Sequence, residues 1–320
     1  MWGKSKSFCQ SAYCALLHVP LSNPVSRFFP FPPTEGQQHF FTEVARFLQN
    51  RNQRDVMILT GYAGTGKTTT MSALVQSLPS FGYKSVLLAP TGRAAKVLGN
   101  YTGKRALTIH KKIYRKRAAL SPDWASQLGR NEHTDTLFIV DEASMINAGR
   151  DERGNSSLLH DLVRYVYNDN NCRLLLVGDT AQLPPVGTLR SAALNAGFMR
   201  DEFGLQVFRT SLTEVLRQQS SSGILFNATA VRDMIRRGNE GFPLIQTRGF
   251  KDIFRLGGER LIEGINYAYG KYGAENTLIV CRSNKNANLY NQQIRGRILY
   301  REDEGPRGVR GALCVGRLLD

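Results

Sequence analysis

Residues 61–68 have the residue types and the spacing of a phosphate-binding loop. Their glycines, followed by Lys67 and Thr68, fit the pattern GxxxxGK(S/T), directly after a predicted strand and before a predicted helix. Backbone N–H groups of such a loop close around a phosphate, and the positive end of the helix dipole adds to the attraction. We therefore predict an ATP site, and the residues expected to contact the nucleotide are Gly61, Ala63, Gly64, Thr65, Gly66, Lys67, Thr68 and Thr69.

Two adjacent carboxylates, Asp141 and Glu142, end the apolar run of residues 137–140. We expect Asp141 and the hydroxyl of Thr68 to hold Mg²⁺, because this ion prefers hard oxygen ligands. Glu142 is expected to orient or deprotonate the attacking water, and Lys67 to reach the β- and γ-phosphates. The two carboxylates favour hydrolysis over nucleotide binding alone, and a solvated acidic turn is the alternative interpretation.

Four short runs rich in β-branched residues or leucine, each followed by small or polar residues, predict buried parallel strands. Helical patterns lie between them, so the expected fold class is α/β, a doubly wound parallel sheet with helices on both faces. In such a sheet the ligand lies at the carboxyl ends of the strands, where all the polar clusters fall, and we therefore expect one site. The predicted strands are Val56–Thr60, Ser85–Ala89, Leu137–Val140 and Leu174–Val177.

The segment before the first predicted strand contains a helical pattern over residues 37–48, with Thr34 and Gln37 at the spacing of a capping box. The Phe/Pro-rich residues 28–33 ahead of it are not expected to form a regular element. We expect ordered structure to begin at Thr34.

The charge of the chain points to a polyanionic partner. Lys and Arg number 42 against 26 Asp and Glu, and no acidic residue occurs between Asp55 and Asp123, whereas eleven basic residues do. A groove for nucleic acid needs positive charge and an absence of repelling carboxylates. Charge alone does not distinguish DNA from RNA, and a basic surface without a ligand is the alternative.

The five cysteines are scattered and form no CxxC pair, which indicates idle thiols in a reducing compartment. The apolar stretch of residues 8–19 lacks the cleavage site of a signal peptide, and no run approaches the roughly 20 apolar residues of a membrane span. We expect a soluble, cytoplasmic protein with no membrane contact.

A third polar cluster, GDxxQLPPVG at residues 178–187, could on its own be any exit from a strand to a turn. Together with DEASM at residues 141–145 it resembles the RecD-like and Dda-like DNA helicases of superfamily 1, over about residues 30 to 304. The resemblance implies two RecA-like lobes that bind ATP and Mg²⁺ between them and move along single-stranded DNA, from 5′ to 3′. It also implies that Gln182 senses the γ-phosphate.

Residues 89–96 and 108–110 look like motifs Ia and Ib of this family. The residues expected to contact single-stranded DNA are accordingly Pro90, Thr91, Arg93 and His110. A lone His110 is more typical of a structural histidine, and both interpretations stay open.

Gln37 resembles the family glutamine that reads the adenine edge, and Arg217 resembles the arginine that approaches the γ-phosphate. A helix-capping role for Gln37 and a surface ion pair for Arg217 are the alternatives. The basic segment Lys111–Asn131 lies where family members carry a strand-separating hairpin, and we assign no wedge residue.

The expected organisation begins with an N-terminal extension and an ATPase lobe that carries a basic insert around residues 101–134. An incomplete second lobe, with a helix over Ile224–Arg237 and a strand over Thr277–Cys281, and an irregular Gly/Arg tail follow. The expected boundaries are 1–33, 34–217, 218–304 and 305–320.

Motifs V and VI of the resembled family do not follow Glu304, which favours a truncation or reading-frame change there over a natural short variant. Because motif VI supplies an arginine to the transition state, we expect this chain to bind MgATP, hydrolyse it poorly and not unwind duplexes. Two other functions stay open: a P-loop ATPase of another class that acts on protein or RNA, and a nucleotide-gated DNA-binding fragment without turnover. The sequence leaves the presence of partner protein subunits open.

Overall fold

The computed structural model describes residues 23–50, 52, 54–115, 127–149, 156–168, 170–182, 184–185, 188, 190–214, 222–239, 241–299 and 315–316. The chain divides into two compact units, residues 1–218 and 219–320. No helix in the described ranges combines the length and the apolar character that crossing a bilayer requires.

The first unit contains the strands β1 (Asp55–Gly61), β2 (Lys84–Ala89), β3 (Ala106–Thr108), β4 (Tyr114–Arg115), β5 (Gln127–Leu128), β6 (Thr136–Val140), β7 (Cys172–Gly178) and β8 (Gln206–Leu212). Six of them form one parallel sheet with the order β3-β2-β6-β7-β1-β8. Strands β1, β6 and β7 are buried along their whole length, as continuous apolar runs predict. The four predicted strands are confirmed.

Helices cover both faces of this sheet. They are α1 (Pro24–Arg27), α2 (Glu35–Gln49), α3 (Lys67–Ser77), α4 (Gly92–Thr102), α5 (Ile109–Ile113), α6 (Leu158–Val166) and α7 (Ala196–Phe203). One core contains side chains of α1 to α4, such as Phe40, Leu74 and Leu98. The other contains side chains of α5 to α7, such as Leu162 and Met199. The doubly wound α/β fold is therefore confirmed.

The expectation that order begins at Thr34 is wrong, because α1 forms ahead of it. Asn23 caps this short helix through its side chain, and a proline at the first helical position has the φ angle that a helix needs. Val25 is fully buried, and the Phe29 ring lies edge to face with Phe41 at 5.4 Å. Burial of these apolar side chains fixes the segment against α2.

A buried ion pair lies at the end of the sheet where the strands begin. Arg173 donates to the carbonyl oxygens of Phe47, in the last turn of α2, and of Asn50, its C-cap. The guanidinium lies 3.8 Å from the carboxylate of Asp55. Asn50 also donates to that carboxylate. These contacts satisfy carbonyl groups that a helix end otherwise leaves unpaired.

Within the predicted basic insert around residues 101–134, β4 and β5 pair antiparallel and form the base of a hairpin. The backbone N–H of Gly129 donates to the carbonyl of Ile113, and the hydroxyl of Tyr114 donates to Asp161 of α6 at 2.6 Å. The hairpin base is thus attached to the first unit. Residues 116–126 of the insert lie outside the described residues.

The second unit contains α8 (Gly223–Arg237), α9 (Leu261–Tyr272), β9 (Val280–Cys281), α10 (Asn284–Ile294) and β10 (Val315–Gly316), with β9 and β10 parallel. The predicted helix over residues 224–237 is confirmed. The predicted strand Thr277–Cys281 is wrong in length, because only its last two residues form β9. The hydroxyl of Thr277 instead donates to the carbonyl of Gly273 at the end of α9, at 2.9 Å.

Candidate nucleotide-binding and catalytic site

The glycine-rich loop of residues 61–66 connects β1 to α3 at the carboxyl edge of the sheet. Gly64 and Gly66 adopt φ angles of 83° and 80°, which side chains disfavour. Gly66 is the N-cap residue of α3, and within the described residues no side chain caps this helix, whereas Thr34 caps α2 and Thr91 caps α4. The first-turn N–H groups of α3 therefore suit an anionic ligand.

Lys67 directs its ammonium group to the inside of this loop. Its Nζ atom donates to the carbonyl oxygens of Gly61 at 2.6 Å and of Tyr62 at 2.9 Å. The buried Thr65 also donates its hydroxyl to the Tyr62 carbonyl, at 2.8 Å. Ala63 and Gly64 are exposed, and Thr68 and Thr69 are half-buried. The loop therefore has an ordered base and an accessible rim.

Asp141 and Glu142 directly follow β6, which is separated from β1 by β7 alone. The Asp141 N–H donates to the Leu88 carbonyl, and the Glu142 N–H donates to Oδ1 of Asp141 at 2.9 Å. Glu142 has a φ angle of 54°, which is uncommon for a residue with a side chain. Strained backbone of this kind occurs at functional sites, where surrounding structure holds a side chain in place.

Burial raises the pKa of both carboxyl groups above their ordinary values. For Asp141 the N–H of Glu142 and the charge of Lys67 partly oppose this effect. For Glu142 the neighbouring charge of Asp141 raises the pKa further, whereas the charge of Lys67 and a hydrogen bond with Gln182 lower it. The ammonium of Lys67 thus acts electrostatically on both carboxylates, which links the loop to the end of β6.

The donor set fits a hard divalent cation. Two adjacent half-buried carboxylates with raised pKa values are an environment that a cation stabilises, and the Asp141 carboxylate and the Thr68 hydroxyl offer the oxygen ligands that Mg²⁺ prefers. The described residues contain no cluster of three or more His, Cys, Asp or Glu side chains able to hold a metal alone. A cation here therefore depends on additional oxygens, such as those of phosphates.

Gln182 is brought to the carboxylates by the turn after β7. Its N–H donates to the carbonyl of Asp179, and the hydroxyl of Ser144 donates to its Oε1 atom at 3.4 Å. Gly178 allows this approach, because a Cβ atom there would lie 2.9 Å from the Leu194 side chain and 3.2 Å from the Ser144 nitrogen. Glu142, Ser144 and Gln182 thus form one cluster.

Gln37 is fully buried and forms the predicted capping box with Thr34. Its Oε1 atom accepts from the N–H of Thr34, and its Nε2 atom donates to the carbonyl of Thr65 at 3.2 Å. The capping role is confirmed, and the same amide contacts the phosphate-binding loop. Reading of adenine by Gln37 stays a prediction, and Arg217 lies outside the described residues.

The predicted DNA-contact residues lie past the carboxyl ends of β2 and β3. Ala89 and Thr108 are paired in these neighbouring strands, and Thr91 and His110 each follow two residues later. Pro90 is half-buried, whereas Thr91, Arg93 and His110 are exposed. Thr91 accepts from the N–H of Ala94 as the cap of α4, and the exposed His110 ring lies 5.7 Å from that of Tyr114.

Three contacts at this site were not predicted from the sequence. Ser144 orients Gln182, the carbonyl of Thr65 receives Gln37, and the carboxylate of Glu214 accepts from the N–H of Gly36 at 3.4 Å. Ser144 stands within the DEASM stretch, whose carboxylates alone were given a role. The other two are contacts between distant segments, for which no local pattern exists.

Comparisons with known proteins agree with these motifs. A family model described as an AAA domain matches residues 34–249. The chain is 32% identical over 197 residues to the ATP-dependent RecD2 DNA helicase of Deinococcus radiodurans, covering 60% of this chain and 24% of that protein. It is 28% identical over 207 residues to the ATP-dependent DNA helicase dda of Enterobacteria phage T4, covering 62% and 42%.

The chain is also similar to a solved structure of the Pif1 helicase from Bacteroides in complex with ADP-AlF3 and ssDNA. The match covers 86% of this chain and 61% of that chain, with a TM-score of 0.47 at 17% identity. The chain spans between about a quarter and two fifths of the length of the two curated relatives. Because the AAA-domain match covers more than half of its residues, the chain belongs to this AAA-domain family, and its resemblance to the RecD-like and Dda-like helicases of superfamily 1 is confirmed.

Proposed function

We propose that this chain is the nucleotide-binding part of an ATP-dependent DNA helicase that moves along single-stranded DNA. The observation that carries the proposal is the shared carboxyl edge of one sheet, where the phosphate-binding loop, the carboxylates Asp141 and Glu142, and the exposed Thr91 and Arg93 all lie. Relatives named as ATP-dependent DNA helicases support the choice of DNA.

In this proposal Thr68 and Asp141 would hold Mg²⁺, which would supply Lewis-acid stabilisation of phosphate charge. Lys67 replaces its two carbonyl partners with phosphate oxygens. Glu142 accepts a proton from the attacking water as the water oxygen bonds to the γ-phosphorus and the bond to the β–γ bridging oxygen breaks. The raised pKa of Glu142 makes it a stronger base than an exposed glutamate.

The remaining site residues complete the proposal. Gln182 holds Glu142 and senses the γ-phosphate, Gln37 reads adenine, and Arg217 approaches the γ-phosphate. Thr91, Arg93 and His110, with the turn at Pro90, grip the DNA backbone. Such a grip is mainly electrostatic, so binding should weaken steeply with salt. Movement from 5′ to 3′ stays a prediction from the family resemblance.

The test is release of phosphate from ATP, measured under single-turnover conditions so that a slow rate is detected. The proposal expects release by the wild-type chain to be stimulated by single-stranded DNA and abolished in Lys67→Ala. Stimulation by RNA or protein alone would instead identify an ATPase of another class. Nucleotide-dependent DNA affinity without any phosphate release would identify a binding module without turnover.

A further inference from the structure

Helix α4 presents one exposed face to solvent beyond the proposed DNA-contact edge. The exposed side chains of α4 are at positions 93, 96, 97, 100 and 101. Their successive spacings of three, one, three and one residues place them along one side of a helix. The opposite side of α4 contains the buried Ala95, Leu98 and Thr102. Lys104, also exposed, lies two residues after the end of the helix and donates to the hydroxyl of Ser85 at 3.1 Å.

The described residues supply no ion-pair partner for the positive charge of this face. Arg93, Lys96 and Lys104 form no ion pair with any residue in the described part of the chain. The sequence contains no acidic residue from position 56 to position 122, so neither α4 nor its flanking segments supply a carboxylate. A surface with this charge is complementary to a phosphate backbone.

An aromatic side chain stands within the basic face. Tyr101 is 61% exposed and the neighbouring Val97 is 45% exposed, although both belong to a helix whose other side is packed in the core. An exposed aromatic ring among basic residues suits a base that stacks on it, and only unpaired bases are available for stacking. The chemistry therefore favours a single strand over a duplex.

We propose that the outward face of α4, from Arg93 to Lys104, is a contact track for single-stranded DNA, with Lys96 and Lys104 on phosphates and Tyr101 stacked against a base. The track continues from Thr91 and Arg93, and α4 rises about 12 Å between Arg93 and Tyr101. This inference rests on the proposed function in taking single-stranded DNA as the ligand.

The test measures binding of a labelled oligothymidylate of about 16 nucleotides and of its abasic counterpart. Tyr101→Ala should bind the intact strand roughly 5- to 100-fold more weakly than wild type. It should bind the abasic strand as well as wild type does, because the abasic strand has no base to stack. Equal melting temperatures will establish that both proteins are folded.

The lysines are tested by the salt dependence of the same binding. Replacing Lys96 and Lys104 with glutamine should lower the magnitude of the slope of log affinity against log salt by about 0.7 per lysine. The change should be the same for the intact and the abasic oligonucleotide. The matched control is Arg200→Gln, an exposed basic residue of α7, which packs on the other face of the sheet and should leave the slope unchanged.

The outcomes separate this inference from the proposed function. If the wild-type chain binds no single-stranded DNA, both are wrong. If it binds DNA but Tyr101→Ala retains full affinity for the intact strand, the track is wrong and the proposed function stands. If the lysine variants lose affinity for duplex DNA but keep full affinity for single-stranded DNA, the track is also wrong.

Discussion

The hydroxyl of Ser144 donates a hydrogen bond to Oε1 of Gln182 across 3.4 Å, and this contact determines which end of the Gln182 amide faces Glu142. Because the amide oxygen is occupied by Ser144, the NH₂ group is the end available to the Glu142 carboxylate, whose pKa is lowered by its hydrogen bond with Gln182. Ser144 is therefore a positioning residue that acts through Gln182 on the proposed base.

Replacing Ser144 with alanine should slow phosphate release by roughly 2- to 10-fold without changing the affinity for MgATP, because one hydrogen bond is lost away from the nucleotide. Since Gln182 lowers the pKa of Glu142, a misplaced amide should raise that pKa. Glu142 must be ionised to accept a proton, so the acidic limb of the rate should move to higher pH. A single-turnover pH profile measures both effects.

A double-mutant cycle provides the control for Ser144. If Ser144 acts only through Gln182, the double variant Ser144→Ala, Gln182→Ala should be no slower than Gln182→Ala alone. Fully additive losses, or an unshifted acidic limb in Ser144→Ala, would contradict the positioning role.

Asp141→Asn should stabilise the fold at neutral pH and weaken Mg²⁺-dependent nucleotide binding. Burial raises the folded-state pKa of Asp141, so the folded protein disfavours the ionised form. The stability that wild type has at low pH is accordingly lost as pH rises from the ordinary aspartate pKa through the raised value, and the neutral amide avoids this loss. Melting curves between pH 4 and pH 8 test it, and a variant that melts below wild type at neutral pH would contradict it.

The two roles of Gln37 can be separated with Thr34. Gln37→Ala removes the capping box and leaves the carbonyl of Thr65 without its amide partner, which should cost about 1–3 kcal/mol of unfolding free energy. If the amide also reads adenine, this variant should lose the preference for ATP over GTP. Thr34→Ala should cost about 1 kcal/mol as a lost cap and keep the preference. An unchanged ATP preference in Gln37→Ala would leave only the capping role.

Gly178→Ala should destabilise the fold by about 1–3 kcal/mol, because the added Cβ would lie 2.9 Å from Leu194 and 3.2 Å from the Ser144 nitrogen. Gly92→Ala is the matched control, since a Cβ there meets nothing within 4 Å and alanine favours a helix. Chemical denaturation of both variants measures the difference. Equal stabilities would show that Gly178 is not packed as described.

Sequence patterns predicted the centre of the sheet because those strands are continuous apolar runs. Strand β8 was missed, since it lies at an edge and its exposed or half-buried residues, among them Arg209 and Ser211, interrupt the apolar pattern. Strand β3 has three residues, too few for a periodicity. The strand predicted over Thr277–Cys281 is shorter than expected because the side chain of its first residue contacts the end of α9. A local sequence pattern does not reveal such a contact.

For the site, spacing and resemblance indicated the loop, the carboxylates and Gln182, because each follows a strand at the same edge. What they could not supply were contacts between separate segments. The bond from Gln37 to Thr65 joins residues 28 positions apart, and that from Ser144 to Gln182 joins residues 38 apart. Such pairs depend on strand order, which places β7 between β1 and β6.

Binding of MgATP to the folded chain tests the central claim, that the backbone of residues 61–66 and Lys67 hold a triphosphate beside Asp141. Titration with a labelled nucleotide should show saturable binding by wild type and by the control variant Lys84→Ala. Lys84 is exposed and begins β2, at the amino ends of the strands and away from the site. Lys67→Ala should bind roughly 10- to 100-fold more weakly. Affinity in Lys67→Ala equal to that of wild type, or no saturable binding by folded wild type, would contradict the account.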